Sequence, residues 1–151
     1  MDTKELGDKG EKLACEYLVK NGYKILGRNY RINFGEIDII AVEKPARLNK
    51  IFQILTSAKE QKLFNRVKGL FRKNDKIIHF VEVKTLAGNG DFYPEEHVNY
   101  KKRDKYKRLA EFWLEKNKFS QNYPCQVDII AVSMNNQGPK IDYFENIVED
   151  K

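Results

Sequence analysis

Apolar residues recur at helical spacing in two parts of the chain. In residues 3–20 and again in residues 99–117, they fall on one stripe with a period of about 3.6 residues. The stripes consist of Leu6, Gly10, Leu13, Ala14, Tyr17 and Leu18, and of Tyr106, Leu109, Ala110, Trp113 and Leu114. This spacing predicts an amphipathic helix over each segment. Asn21-Gly22 predicts the end of the first helix.

Three other segments are rich in β-branched residues and apolar on both faces for much of their length. They are residues 36–42, 77–85 and 126–133, and they predict central strands that are covered on both faces. Weaker patterns predict strands at 23–26 and 140–144. The basic residues at 27–31 predict a turn.

The order of these elements predicts an α/β fold, a three-layer sandwich of helices around a central mixed β-sheet. The whole chain, 1–151, has a length typical of a single domain.

Residues 44–76 interrupt this pattern. They contain ten Lys and Arg residues against Glu60 and Asp75, so their net charge of +8 exceeds the +6 of the whole chain. Apolar residues recur at helical spacing, and Ser57 and Glu60 have the spacing of a capping box. We expect a basic helical insertion, a bent helix or a helical hairpin, between the two central strands. Such an insertion suits a DNA clamp, a dimer arm or a basic helix on an anionic membrane, and we favour DNA contact.

Composition narrows the class of protein. A hydrophobic fraction of 41% indicates a globular chain, and no apolar run is long enough to span a bilayer. The N-terminus lacks the apolar core of a secretory signal, and two distant cysteines suggest reduced thiols in the core of a cytoplasmic protein. The basic balance, with a pI near 9.2, favours a nucleic-acid partner.

Two of the predicted central strands carry charged residues two positions apart. In a regular strand such residues share a face, so Glu36 and Asp38 form one pair, and Glu82 and Lys84 form the other. Charged side chains in buried strands are rare unless they are paired or bind a metal. If the strands pair, three carboxylates and one ammonium group converge. A structural alternative is that Glu82 and Lys84 form an ion pair at the end of the sheet.

The functional interpretation is a site for a divalent cation. Mg²⁺ needs only one or two carboxylates, and completes its shell with waters and phosphate oxygens. We predict that Asp38, Glu82 and the Val83 carbonyl are its ligands. The ammonium group of Lys84 would orient the attacking water and stabilise developing negative charge.

Four blocks of sequence resemble the YraN-like, endonuclease-related family. They are Gly7-x-x-Gly10-Glu11-x-x-Ala14, Gly35-Glu36-Ile37-Asp38, Val81-Glu82-Val83-Lys84-Thr85 and Val127-Asp128-Ile129-Ile130-Ala131-Val132. That family is similar to the archaeal Holliday junction resolvases, within the PD-(D/E)XK, restriction-endonuclease-like nucleases. The resemblance covers nearly the whole chain outside 44–76, with the blocks in the family's order.

The resemblance implies a role for each acidic residue. Asp38 takes the first acidic position, Glu82 and Lys84 take the (D/E)XK position, and Glu11 is the helix-borne acidic residue that completes the site. An ordinary exposed glutamate is the structural alternative for Glu11. Two features depart from the family's pattern: the insertion at 44–76, and Tyr93 where a glycine is common.

Several other residues are candidates for a functional or a structural role. Arg28, Arg31, Lys101, Lys102 and Arg103 are candidates for contacts with the DNA backbone, although a solvated basic surface would look the same. His79 has the opposite strand parity from Glu82, so we expect it to face away from the site. Asp128 and His97 are expected to be non-catalytic. Gly7 and Gly10 suit either close approach to phosphate or tight helix–sheet packing.

The sequence therefore predicts an Mg²⁺- or Mn²⁺-dependent endonuclease that acts on DNA, with branched or junction DNA and a homodimer as further expectations. The alternative is a non-catalytic nucleic-acid-binding protein that retains the nuclease fold. A weaker third interpretation is a membrane-surface or protein-interaction module built around 44–76.

Overall fold

The computed structural model describes residues 2–43, 76–88, 92–93 and 99–147. Within these residues it contains two helices and five strands. In chain order they are α1 (Thr3–Lys20), β1 (Tyr23–Ile32), β2 (Gly35–Glu43), β3 (Ile78–Ala87), α2 (Tyr100–Lys116), β4 (Cys125–Asn135) and β5 (Gly138–Phe144). Both predicted helices and the three predicted central strands are present, and their ends agree with the prediction to within two residues.

The strands form one mixed sheet in the order β1-β2-β3-β4-β5. β3 pairs in parallel with β4, while the other neighbouring pairs are antiparallel. The predicted mixed sheet is confirmed, and the strands predicted to be central lie at its second, third and fourth positions.

The turn predicted at 27–31 is wrong, because β1 continues through these residues to Ile32. The pairing with β2 shifts in register between Ile25 and Gly27, and Asn29 adopts a left-handed conformation with φ near 50°. These irregularities keep polar residues within a paired strand at the edge of the sheet, where their side chains reach solvent.

The two helices cover opposite faces of the sheet. Ala14 and Leu18 of α1 pack in a cluster with Val81, whereas Leu109 and Trp113 of α2 pack in a cluster with Phe80. Since Phe80 and Val81 are adjacent in β3, their side chains lie on opposite faces. The described residues therefore form three layers, and every member of the predicted α2 stripe is buried.

Gly10 settles one of the alternatives that the sequence left open. A Cβ atom at this position would lie 1.9 Å from the Thr85 hydroxyl, so the helix backbone rests directly on β3. At Gly7 an added Cβ would meet nothing within 4 Å. Gly10 thus serves close helix–sheet packing.

His79 and Asp128 lie on the α1 face, as their strand parity predicts. Asp128 is fully buried and accepts hydrogen bonds from the Tyr143 hydroxyl at 2.7 Å and from the Asn146 amide at 2.8 Å. Its Oδ2 atom lies 2.6 Å from Nδ1 of His79. This network joins β3, β4 and β5, which supports the expected structural role of both residues.

Several expectations fall outside the described residues. The predicted helical insertion at 44–76 lies there except for Lys76, and so does His97. No helix in the described part of the chain is both long and apolar enough to cross a membrane. The cysteines are free thiols, but only Cys15 is partly buried; Cys125 is exposed at the start of β4, so its predicted core position is wrong.

Candidate active site

The two central strands separate at the predicted site. The pairing of β2 with β3 runs from Val42–Ile78 to Ile39–Val81 and then stops. Beyond that point the amide of Val83 donates a hydrogen bond of 2.7 Å to Oδ2 of Asp38. The Asp38 side chain therefore replaces the backbone partner that β2 no longer offers. We refer to this gap between β2 and β3 as the fork.

The alternation of side chains along β2 changes at Asp38. Ile39 packs in the α1 cluster, whereas Ile37, two positions earlier, packs in the α2 cluster. Glu36 points to solvent and pairs with Arg31 at 3.0 Å. Glu36 and Asp38 do not meet as the same-face argument predicted, because that argument assumes a regular strand. The structure brings the strand-borne residues Asp38, Glu82 and Lys84 together at the fork.

Asp38 lies in a strongly acidic environment. Its pKa is raised to about 7, first by burial, next by the Glu82 carboxylate and, more weakly, by Glu11. The Val83 hydrogen bond and the Lys84 ammonium group lower the pKa of Asp38, but they do not compensate. At Asp38, burial and the neighbouring carboxylates thus outweigh the Lys84 ammonium group.

Glu82 and Lys84 extend from β3 on the face covered by α2. The Lys84 ammonium group donates to the Glu82 carboxylate. An ion pair between these two residues was the structural alternative to a metal site. In the structure the pair lies beside Asp38 at the fork. Both interpretations of this pair are therefore compatible with its position.

Tyr106 is a site residue that the sequence argument missed. Burial, the Glu82 charge and a hydrogen bond to Glu82 raise the pKa of Tyr106, so its hydroxyl stays protonated and donates to that carboxylate. The sequence placed Tyr106 in the apolar stripe of α2, and it is indeed 7% exposed. The sequence signal that could have identified Tyr106 as a site residue is its polar hydroxyl. Tyr106 is the first residue of an otherwise apolar stripe, close to the basic residues of α2.

Glu11 approaches the fork from α1. Its carboxylate accepts a hydrogen bond of 3.1 Å from the Asn29 side chain, and Nη2 of Arg28 lies 3.8 Å away. It lies close enough to Asp38 to contribute to the raised pKa of that residue. The ordinary exposed glutamate of the structural alternative is excluded, since this side chain is only 19% exposed.

The donor atoms suit a hard divalent cation. Within the described ranges, no group of three or more His, Cys, Asp or Glu side chains is arranged to hold a metal ion by itself. An Mg²⁺ site needs fewer, because waters and the phosphate oxygens of a substrate can complete the shell. Asp38 and Glu82 supply two carboxylates. The Val83 carbonyl leaves an extended strand on the same edge as its amide, and so we expect it to face the fork as well.

The basic candidates lie around this region at different distances. Arg28 contacts Glu11, and Arg31 contacts Glu36 near the tip of the β1–β2 hairpin. Lys101 and Lys102 are exposed in the first turn of α2, and Arg103 is partly buried. Arg28 thus contacts one member of the acidic cluster, by which we mean Glu11, Asp38 and Glu82, while Lys101 and Lys102 lie on the exposed surface of α2.

Comparison with known proteins identifies relatives across nearly the full chain. Residues 10–132 match the family described as "Uncharacterised protein family UPF0102". A UPF0102 protein of Thermodesulfovibrio yellowstonii is 35% identical over 94% of both chains. Another, from Clostridioides difficile, is 37% identical over 87% of this chain and 88% of its own. A third, from Thermotoga petrophila, is 34% identical over 97% of this chain and 96% of its own.

The matched region contains Glu11, Asp38, Glu82 and Lys84, and thus the whole acidic cluster at the fork. With relatives above 30% identity over almost their entire length, the chain belongs to the UPF0102 (YraN-like) family.

Proposed function

We propose that this protein is a metal-dependent endonuclease that hydrolyses phosphodiester bonds in DNA and has a restriction-endonuclease-like fold. The observation that carries the proposal is the acidic cluster at the fork. Asp38 lies between two central strands, beside Glu82 and Glu11, with a pKa raised to about 7. Such a carboxylate is stabilised by a bound cation, which favours its ionised form.

Each residue of the site has a distinct role in the proposed reaction. Asp38, Glu82 and the Val83 carbonyl would hold Mg²⁺ or Mn²⁺. When bound, such a cation acidifies water and neutralises charge on the scissile phosphate. Lys84 orients the attacking water and stabilises the negative charge that develops on the phosphate. Tyr106 restrains Glu82 through its hydroxyl, and Glu11 completes the acidic group from the opposite helix.

DNA would approach the fork over a basic surface. Arg28 and Arg31 lie on one side, and Lys101, Lys102 and Arg103 lie at the start of α2. These contacts are to phosphate and carry little sequence preference. Branched or junction DNA is the expected substrate class, and a homodimer would bring two sites to such a substrate. The molar mass in solution, with and without a four-way junction, tests the dimer.

Cleavage of labelled DNA tests the proposed activity. The substrates are linear duplex, single-stranded, flap and four-way-junction DNA, each with Mg²⁺, Mn²⁺ or a chelator. We expect cutting of at least one substrate that requires the cation. Asp38→Asn and Glu82→Gln should abolish cutting and leave DNA binding largely intact, because they keep the side-chain shapes and remove metal-binding charge.

Glu36→Gln is the matched control, since Glu36 is a carboxylate two residues from Asp38 that pairs with Arg31 outside the cluster. This variant should cut like the wild type. The proposal is overturned if the wild type cuts none of the substrates, or if Asp38→Asn and Glu82→Gln cut normally.

One observation favours a second candidate, a nucleic-acid-binding protein without catalysis. The described residues hold no group of three potential metal ligands, and Lys84 already pairs with Glu82. Under that function Mg²⁺ would leave the melting temperature of the wild type unchanged. A rise that Asp38→Asn abolishes would exclude it, because a ligand that binds only the folded state stabilises that state.

A further inference from the structure

Two phenylalanine rings form an exposed pair at the tip of the β1–β2 hairpin. Phe34 lies between β1 and β2, and Phe112 lies on the outer face of α2. Their side chains are 48% and 49% exposed, and their ring centroids are 6.1 Å apart at an interplanar angle of 90°. Single exposed apolar residues are common, but two large rings in contact present a continuous apolar surface to solvent. We call them the aromatic pair.

Basic residues line the same face of α2. Lys101, Lys105, Arg108 and Lys116 recur with Phe112 at intervals of three or four residues, which places them on one side of the helix. All four are exposed. Arg108 is bridged to Asp104 at 2.9 Å, and Nζ of Lys116 lies 5.8 Å from the Tyr30 ring centroid. We call these four residues the basic stripe; Glu115 lies at its border.

A surface depression lies where the β1–β2 hairpin meets α2. It has a volume of about 310 Å³ and is lined by Arg31, Ile32, Gly35, Glu36 and Lys105. A Cβ at Gly35 would lie 2.3 Å from Cε of Lys105, so the hairpin tip rests directly against α2. Tyr106, the neighbour of Lys105, bonds Glu82. Phe112 follows Tyr106 by six residues, or about 9 Å along the helix axis.

We propose that the aromatic pair and the basic stripe bind a single-stranded segment of DNA beside the active site. Unpaired bases would stack on the exposed rings, and the lysines would contact the phosphates. A base inside a duplex is already stacked on its neighbours, so this surface distinguishes unpaired from paired DNA. The proposal deepens the proposed function, since it names a substrate with a single-stranded part, but the binding itself does not depend on cleavage.

The chemistry of the surroundings favours a nucleic acid over a protein partner. The buried centre of a protein–protein interface is depleted in lysine, whereas grooves for single-stranded nucleic acid combine aromatic rings with positive charge. Here Phe112 shares its face of α2 with three lysines and with Arg108, which is bridged to Asp104. A stacked base contributes about 1–3 kcal/mol by alanine substitution.

Binding without cleavage tests the proposal. Full-length protein is titrated, in the presence of a chelator, into a labelled oligothymidylate and into a duplex of the same length, and fluorescence anisotropy is recorded. We expect Phe112→Ser and Phe34→Ser each to weaken binding of the single strand about tenfold, the equivalent of one stacked base. Binding of the duplex should change by less than about twofold, a difference that corresponds to no lost stacking contact.

Val19→Ser is the matched control, since Val19 is 52% exposed on α1, on the other side of the sheet. It should bind both DNAs like the wild type. Phe112→Trp gives a second measurement that does not rely on a loss of binding affinity. The single-stranded DNA should quench fluorescence of this variant more than that of the wild type, whose single tryptophan, Trp113, is buried.

The proposal is overturned if Phe112→Ser binds the single strand like the wild type, or if fluorescence of Phe112→Trp does not respond to it. Equal losses for single strand and duplex also overturn it, because they indicate a general effect on the fold or charge. If the wild type cuts DNA but these variants bind normally, only this inference fails. If they lose single-strand binding and the wild type cuts nothing, only the proposed function fails.

Discussion

The surroundings of the Asp38 carboxyl group disfavour its ionised form. Burial and two nearby carboxylates raise its pKa to about 7, although it accepts the Val83 amide hydrogen bond. In the unfolded chain this carboxyl titrates near its ordinary value of 3.8. Between about pH 4 and pH 7 the folded state therefore binds more protons than the unfolded state. The stability that Asp38 contributes is present below pH 4 and is lost as pH rises through 7.

Asp38→Asn should remove this dependence. The amide oxygen can still accept from Val83, and no charge forms at high pH. In a chelator-containing buffer at pH 8 we expect the variant to have a free energy of unfolding about 2–4 kcal/mol higher than the wild type, since one unit of pKa shift equals about 1.4 kcal/mol. At pH 4 the two should be nearly equal. Urea unfolding across this pH range measures both quantities.

Glu36→Gln again serves as the control: it retains Asp38, so its stability should change with pH as that of the wild type does. Equal stabilities of the wild type and Asp38→Asn at pH 8 would contradict the raised pKa.

The residues of the site differ in how readily the sequence reveals them. Asp38, Glu82 and Lys84 stand out because they are charged positions within buried strands. Glu36 was misplaced, because counting by twos fails where the alternation of β2 changes. Tyr106 was missed because its ring belongs to the apolar stripe, while its hydroxyl serves Glu82. A tyrosine combines an apolar ring with a polar hydroxyl, and a hydrophobic pattern in the sequence indicates only the role of the ring.

At the scale of elements, the close approach of Gly10 to Thr85 adds to the apolar packing that positions α1 on the sheet. Gly10 lies against Thr85, and the next residue along the helix, Glu11, reaches the fork. Thr85 in turn follows Lys84 in β3. The contact between Gly10 and Thr85 therefore holds the helix-borne and the strand-borne parts of the site together.

Gly10→Ala should destabilise the protein, because the added methyl group would lie 1.9 Å from the Thr85 hydroxyl. We expect a loss of about 1–3 kcal/mol, which is typical of overpacking. Gly7→Ala is the matched control in the same helix, and it should stabilise by up to about 1 kcal/mol because alanine favours helix more than glycine does. Thermal unfolding compares the two, and a Gly10→Ala protein as stable as Gly7→Ala would contradict the contact.

Most elements were predictable from the sequence because each has one dominant period. The β1 strand was not, since the glycine and asparagine within 27–31 favour turns locally. Pairing with β2 along nearly its whole length outweighs that preference, and the irregular geometry at Asn29 accommodates it. Tertiary pairing of this kind leaves no periodic signal in the sequence.

At the scale of the whole molecule, most of the excess positive charge lies in one segment of the sequence that contains none of the acidic residues of the site. Residues 45–75 alone carry a net charge of +6, equal to that of the entire chain. They connect β2 to β3, whose ends already lie side by side through the pair Val42–Ile78. The sheet therefore does not require a connection of this length.

Replacing 45–75 with a short turn should leave the fold intact, because closing a shorter loop costs the chain less entropy. We expect weaker DNA binding and a shallower dependence of log Kd on log salt concentration, since each phosphate contact contributes about 0.9 to that slope. Anisotropy titrations at several salt concentrations measure it. A full-length variant with the eight Lys and Arg residues of 45–75 changed to Gln separates charge from length. An unchanged slope in both proteins would show that the segment does not contact DNA.

The fork has a further consequence for local motion. β3 is paired with β4 in an unbroken parallel register from Ile78 to Ala87, whereas its pairing with β2 ends at Val81. Local opening near the site should therefore begin on the β2 edge, with the β4 edge still closed. In hydrogen–deuterium exchange, the Val83 amide would report this opening directly, because its protection comes from the Asp38 side chain and not from a backbone ladder.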